Sequence, residues 1–187
     1  MTTKTVSAAD QSTSNARIAP SVPVALGVFI AYGIAFIGLS SSSGIAYGDW
    51  FASDENAFRT AVIPLIGGSL VLIIFLWWAR WDFVFTDSAR LPMYGILTVG
   101  VVLFAVGIVV HLIGVKWGGP SGGLIAAIIA AGVLVGFAEE TLFRGIILRS
   151  LRTKMRAEFW VMLWSSLWFG FFHATNLANG SPLGQVV

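Results

Sequence analysis

Residues 122–152 read GGLIAAIIAAGVLVGFAEETLFRGIILRSLR, and this stretch decides the fold. Residues 122–138 carry no formal charge, and their polarity does not alternate at every second position as it does in a membrane-spanning β-strand. In lipid, backbone N–H and C=O groups must be hydrogen-bonded internally, so an apolar run of this length predicts a spanning helix. Apolar residues resume after the polar segment, and we therefore predict one helix over 122–152.

Four other stretches without formal charge predict further helices over roughly 22–42, 60–79, 92–114 and 157–175. The composition supports this interpretation, because 57% of the residues are hydrophobic, 11% are charged and the mean hydropathy is +0.85. Soluble domains carry about 25% charged residues. We therefore expect an all-α fold, a polytopic membrane helical bundle with about five transmembrane helices, and we exclude soluble, disordered and collagen-like classes.

The first 17 residues are polar and rich in Ser, Thr and Ala. They predict a mobile N-terminal tail, residues 1–17, followed by a single transmembrane domain, residues 18–187. The absence of cysteine excludes disulfides, thiolate metal sites and a cysteine nucleophile. A net charge of +2 gives no indication of a nucleic-acid partner.

The basic residues predict the orientation of the bundle, because cytoplasmic loops are enriched in Lys and Arg. With the N-terminus inside, the outer loops hold only Arg59 and Lys116. The inner segments then hold the larger set, which is Lys4, Arg17, Arg80, Arg90, Arg149, Arg152, Lys154 and Arg156. The N-terminus is therefore predicted to be cytoplasmic. Tryptophans near the predicted ends of the helices are interpreted as interfacial anchors: Trp50, Trp77, Trp78, Trp81 and Trp117.

The polar segment within 122–152 contains Glu139, Glu140 and Arg144. Ionisable groups at membrane depth cost at least ~2.5 kcal/mol each, so they indicate a functional site. Glu140 and Arg144 are four residues apart on one helix face and can pair. Glu139 lies about 100° away around the helix, which leaves its carboxylate free for chemistry. Gly132 and Gly136 form a GxxxG pattern that would allow close approach of another helix.

A second polar segment lies on the last predicted helix, where Phe169, His173 and Asn176 recur on one face. A basic turn at 153–156 should join the two helices. At 1.5 Å per residue, Glu139 and His173 lie about 21 and 26 Å from that turn, less than one helical turn apart. We therefore predict that a carboxylate of the Glu pair faces His173, with a gap under about 8 Å that allows for one bridging water or metal.

A carboxylate that faces an imidazole within a membrane allows two kinds of chemistry. One is hydrolysis, in which Glu acts as general base and His holds the water or binds a metal. The other is proton relay in a transporter. Periodicity and depth do not separate the two.

The two segments resemble the CPBP family, the CAAX-protease and bacteriocin-processing intramembrane proteases, also called the abortive-infection domain. The family signature is Glu-Glu-x-x-x-Arg on one helix, then Phe-x-x-x-His on the next, often with Asn three residues later. Here it reads Glu139-Glu140-x3-Arg144, Phe169-x3-His173 and Asn176, and the resemblance covers about residues 122–187. It implies a bacterial-type cell membrane protein, an intramembrane endopeptidase similar to CAAX-type prenyl-protein proteases.

The resemblance also implies roles for individual residues. Glu139, Glu140 and His173 would be catalytic, and Arg144, Phe169 and Asn176 would support them. The cofactor is open: Glu139 and His173 could bind a divalent metal such as zinc, or the site could need none. The implied partners are the lipid bilayer and a peptide or protein substrate at the membrane.

One family motif is missing, because members carry a second His, followed by Asn or a similar residue, on a later helix. The sequence stops at Val187, so we expect a C-terminally truncated chain that is inactive alone. His111 is not expected to replace the missing His. Two alternatives stay open: a non-catalytic membrane interaction or immunity protein with the same fold, and a proton-coupled transporter subunit.

Overall fold

The computed structural model describes residues 15–85, 95–114 and 118–181, except the side chains of residues 96, 97, 111, 178 and 179. Over these ranges the chain forms five long helices and no strand, which confirms the all-α fold. The helices are α1 (Val22–Ser41), α2 (Asp54–Ala79), α3 (Ile96–Gly114), α4 (Gly122–Arg152) and α5 (Glu158–Ala174). The predicted tail lies mostly outside the described residues, as do Trp117 and the side chain of His111.

Within the described ranges, three helices are long and apolar enough to cross a membrane: α1, α2 and α4, with 20, 26 and 31 residues. α5 has 17 residues, at the lower end of the spanning range of about 17–25. The chain divides into two compact units. Residues 1–86 and 121–187 form the first, which contains α1, α2, α4 and α5. Residues 87–120 form the second, whose described part is the apolar helix α3.

α1 and α2 pack closely through a pair of glycines on α2. A Cβ atom at Gly67 would collide with Leu39, and one at Gly68 would lie 2.5 Å from Cε2 of Tyr32. These glycines therefore let two α1 side chains lie directly on the α2 backbone. The predicted close approach at Gly132 and Gly136 is wrong for the described residues, because no atom lies within 4 Å of a Cβ built at either position.

A proline inside α2 adds a polar link between the same two helices. Pro64 has no N–H, so the Thr60 carbonyl four residues earlier lacks the donor that a regular α-helix would supply. The chain widens into a π-helical turn at Phe58–Val62 just before the proline. The Thr60 carbonyl accepts a hydrogen bond from Ser40 Oγ of α1 at 3.0 Å.

The end of α2 corrects the interpretation of one tryptophan. Arg80 adopts the left-handed conformation that ends a helix (φ 57°) and turns the chain inward. Trp81 is then fully buried, and its indole Nε1 donates a hydrogen bond to the Ile18 carbonyl at 2.7 Å. Trp81 is thus a core residue and not an interfacial anchor, whereas Trp77 and Trp78 are exposed.

α4 runs continuously through the polar segment, as predicted, but it changes its winding there. The Ser121 side chain caps its start by accepting a hydrogen bond from the Leu124 N–H at 3.1 Å. The helix is regular to Glu139, becomes π-helical over Glu140–Ile147, and is regular again over Leu148–Arg152. Such π-helical turns frequently occur at functional sites.

Candidate active site

The two neighbouring glutamates of α4 stand on either side of the point where the winding changes. The Glu140 carboxylate pairs with Arg144 one turn later, with Oε1 and Nη1 2.7 Å apart. Both side chains of this pair are exposed, Glu140 by 59% and Arg144 by 75%. The predicted i, i+4 pair is therefore present, and it holds the Glu140 carboxylate on Arg144.

The imidazole of His173 is oriented by the backbone of its own helix. His173 Nδ1 lies 3.0 Å from the Phe169 carbonyl oxygen, one turn earlier on α5. A carbonyl oxygen only accepts hydrogen bonds, so Nδ1 carries the proton in this contact. In the neutral ring Nε2 is then a hydrogen-bond acceptor. The Phe169 ring also packs against the imidazole, with ring centroids 4.2 Å apart.

Glu139 and His173 face each other between α4 and α5. Glu139 Oε1 lies 3.6 Å from His173 Nε2, which confirms the predicted gap of less than 8 Å. This separation is longer than the 2.7–3.2 Å of a direct hydrogen bond. Two acceptor atoms at this distance can be joined by one water that donates to both. The side chains are 38% (Glu139) and 34% (His173) exposed, so such a water has access.

Aromatic contacts hold the two helices in this register. Phe143 on α4 meets Phe169 on α5 edge to face, with centroids 4.9 Å apart. Phe29 of α1 contacts both Phe143, at 6.3 Å, and Phe172, at 5.7 Å. Aromatic pairs of this geometry contribute about 0.5–1.5 kcal/mol each beyond the burial of area. The helix that carries Glu139 and the helix that carries His173 are therefore fixed to each other and to α1.

Glu139 and His173 form the polar part of a cavity of about 250 Å³. Its wall is otherwise mainly apolar and comes from α1, α2, α4, α5 and the segment between α1 and α2. Asn176 also lines it, from a 3-10 turn (Thr175–Asn179) that follows the end of α5. The predicted helix over 157–175 thus ends close to where expected. Asn176 lies beyond that end but still beside His173 in the cavity wall.

Several cavity residues gave no signal in the sequence. Trp50, interpreted as an interfacial anchor, is only 6% exposed and lines the cavity together with Tyr47 and Phe51. Tyr32 of α1 lines it as well. A tryptophan or tyrosine near a predicted helix end carries no pattern that distinguishes a cavity wall from a membrane anchor. Only the packing of α1 and α2 against α4 brings these residues to Glu139.

Glu140 and Arg144 lie in a different depression, of about 410 Å³, which they share with Glu139, Ser165 and Ser166. Neither lines the aromatic cavity with His173. Glu139 is thus the member of the pair that the structure brings to His173. Glu140 lies next to the site, in contact with Arg144.

The donor set can be compared with the needs of a metal ion. A catalytic zinc site takes three protein ligands and one water. Within residues 15–85, 95–114 and 118–181, no group of three or more His, Cys, Asp or Glu side chains is arranged to hold a metal. Glu139 and His173 supply two donors. The described residues therefore do not complete a zinc site of this type.

Comparison with known proteins adds one finding. A family model described as type II CAAX prenyl endopeptidase Rce1-like matches residues 121–186, roughly a third of the chain. No curated protein and no solved structure matches. The matched region contains α4, α5 and both polar segments. The match therefore agrees with the resemblance to CPBP proteases over this part of the chain.

Proposed function

We propose that this protein is an intramembrane endopeptidase in which Glu139 and His173 together hold and activate one water. The observation that carries the proposal is the 3.6 Å gap between Glu139 Oε1 and His173 Nε2. Two acceptors at this separation suit a water that donates one hydrogen to each of them. The oxygen lone pairs of that water are then free to attack a carbonyl carbon.

In the proposed hydrolytic step, Glu139 and His173 act on the bound water. Glu139 acts as general base and accepts one proton as the water oxygen forms a bond to the carbonyl carbon of the scissile peptide. The carbonyl π electrons move to its oxygen. When the tetrahedral species collapses, the C–N bond breaks and the proton passes from Glu139 to the leaving amine. His173 holds the water through Nε2, because its Nδ1 proton is donated to Phe169.

The surroundings of the pair support a membrane-associated substrate. The cavity beside Glu139 is lined mainly by aromatic and aliphatic side chains, which suits an apolar part of a substrate. Glu139 is part of α4, a helix long and apolar enough to span the bilayer. We infer that the substrate is a peptide or protein held at the membrane, of the prenyl-protein type that the family description names.

Glu140 and Arg144 have a supporting role in this proposal. Their ion pair keeps the second carboxylate of the motif away from His173. Phe169 supports the site more directly, through its carbonyl and its ring. Asn176 is a polar group of the cavity wall that could donate to a developing oxyanion.

A cleavage assay on full-length protein in liposomes, with a prenylated CAAX peptide as substrate, tests the proposal. Glu139→Gln keeps the shape of the side chain but removes the base, and His173→Ala removes the second contact with the water. Each variant should lower kcat by at least about 10²-fold, since general base catalysis contributes 10²–10⁴. His111→Ala provides a histidine control outside the motifs and should cleave at the parental rate.

A different outcome would favour the non-catalytic alternative. If Glu139→Gln and His173→Ala both retain the parental rate, the pair does not act on the substrate. The two segments would then have a structural role in a membrane interaction protein.

A further inference from the structure

Tyr32 of α1 is a buried phenol next to the catalytic pair. It is 4% exposed and lines the same cavity as Glu139 and His173. Among the described residues its hydroxyl makes no hydrogen bond to a side chain or to the backbone. Buried hydroxyls are usually paired with protein or water. We therefore expect the Tyr32 hydroxyl to have a hydrogen-bond partner within the cavity.

The ring of Tyr32 is held in place on several sides. On one side, the ring lies against the backbone of Gly68 in α2. A Cβ atom at Gly68 would lie only 2.5 Å from Tyr32 Cε2. Phe36 stacks on it with an interplanar angle of 2° and a centroid distance of 6.2 Å, and Phe172 contacts it at 5.4 Å. A ring fixed in this way directs its hydroxyl to one place in the cavity. Phe172 is also the neighbour in sequence of His173.

The Glu139 carboxylate, a hydrogen-bond acceptor, also lacks a direct partner among the described residues. It accepts no direct hydrogen bond within the described part of the chain, and Glu139 Oε1 lies 3.6 Å from His173 Nε2. Glu139 and Tyr32 line the same cavity, so one water between them can contact both groups. A phenol can donate, and a carboxylate only accepts.

We propose that Tyr32 is a positioning residue of the active site, whose hydroxyl donates a hydrogen bond that reaches the Glu139 carboxylate through one water. This bond holds the carboxylate in the orientation that faces His173 Nε2. It links α1, outside the matched family region, to the chemistry of α4 and α5. The inference rests on the proposed function for its kinetic consequence, but the hydrogen bond itself can be measured without catalysis.

The test that does not depend on activity is ¹⁹F NMR of the full-length protein with its tyrosines replaced by 3-fluorotyrosine. The sequence has three tyrosines, and the Tyr32 resonance is identified by its loss in Tyr32→Phe. Glu139→Gln should shift the Tyr32 resonance. Glu140→Gln removes the neighbouring charge and should leave it in place, and Tyr47 of the same cavity serves as the internal reference.

The kinetic test is Tyr32→Phe, which removes the hydroxyl and keeps the ring packed on Gly68. We expect kcat to fall about tenfold or more, the factor that corresponds to one hydrogen bond to a charged group. KM and the melting temperature should stay at the parental values, whereas a merely structural role would lower the melting temperature.

The outcomes separate the two proposals. A Tyr32 resonance whose chemical shift is unchanged in Glu139→Gln overturns the positioning role even if the protein is a protease. A Tyr32→Phe variant with parental kcat overturns it as well. A resonance that responds to Glu139→Gln in a protein that never cleaves the peptide supports the Tyr32–Glu139 bond. That second result counts against the proposed function alone.

Discussion

Glu139 and Glu140 are chemically identical neighbours with different surroundings. Glu140 lies on the Arg144 guanidinium at 2.7 Å, whereas Glu139 faces His173 Nε2 at 3.6 Å. The Glu140 carboxylate is thus occupied by Arg144, whereas the Glu139 carboxylate is directed at His173. In the proposed mechanism, the arrangement of partners, and not the type of residue, is the reason that Glu139 rather than Glu140 is the base.

The Glu140–Arg144 pair leads to a prediction about stability at membrane depth. Arg144→Gln leaves the Glu140 charge without its partner and should lower the melting temperature of the reconstituted protein. The double variant Glu140→Gln/Arg144→Gln removes both charges and should recover most of the loss, because an unpaired charge within the membrane costs more than no charge at all. Thermal unfolding in liposomes measures both variants. A double variant that is less stable than Arg144→Gln would contradict this interpretation.

The sequence was sufficient to predict the residues of the polar motifs but not the residues that surround them. Ionisable side chains inside an apolar run have no other common explanation, so Glu139, Glu140 and His173 are visible in the sequence. Tyr32 and Trp50 are not, because aromatic residues are common in membrane helices and at their ends. Their place beside Glu139 depends on tertiary packing, which no local pattern encodes.

At the scale of the helices, close packing of α1 on α2 places Tyr32. Gly67 and Gly68 remove the side chains that would hold the two backbones apart. The hydrogen bond from Ser40 Oγ to the Thr60 carbonyl also joins the two helices, near the C-terminal end of α1. The position of the phenol in the cavity is thus a consequence of α2, a helix without ionisable residues in its apolar part.

Gly68→Ala tests this packing directly. The new methyl group would meet the Tyr32 ring, and overpacking of this kind costs about 1–3 kcal/mol. We expect lower thermal stability and, since the phenol is displaced, lower kcat. Gly27→Ala is the matched control, because a Cβ at Gly27 of α1 has no atom within 4 Å. Equal behaviour of the two variants would show that the glycine does not position Tyr32.

The helices themselves were largely predictable, and their irregularities were predictable only in part. Unbroken apolar runs gave the extents of α1, α4 and α5 to within a few residues. Pro64 indicates an irregular turn in α2, because a proline inside a helix removes a backbone hydrogen bond. The π-helical turn at Glu140–Ile147 has no such marker. The one close helix contact predicted from glycines was placed at Gly132 and Gly136, whereas the structure shows it at Gly67 and Gly68.

For the whole molecule, the basic residues predict the direction of the chain through the bilayer. The turn at 153–157 between α4 and α5 contains Lys154 and Arg156, and Arg149 and Arg152 lie just before it. We predict that it is cytoplasmic, together with the N-terminus. The cavity is lined by the segment between α1 and α2, which then lies on the outer side.

Reporter fusions test this orientation. A reporter joined after Arg156 should be active only as a cytoplasmic reporter, and one joined after Trp117 only as an external reporter. A reporter located outside after Arg156 would reverse the orientation of the whole bundle.

The most direct measurement of the central claim, that Glu139 and His173 act on one water, is a double-mutant cycle on the rate of peptide cleavage. Glu139→Asp retracts the carboxylate by one methylene, and His173→Gln replaces the imidazole with a polar side chain. If the two residues act as a unit, the double variant should cleave no more slowly than the slower single variant. Losses of rate that multiply, or either single variant at the parental rate, would contradict the account.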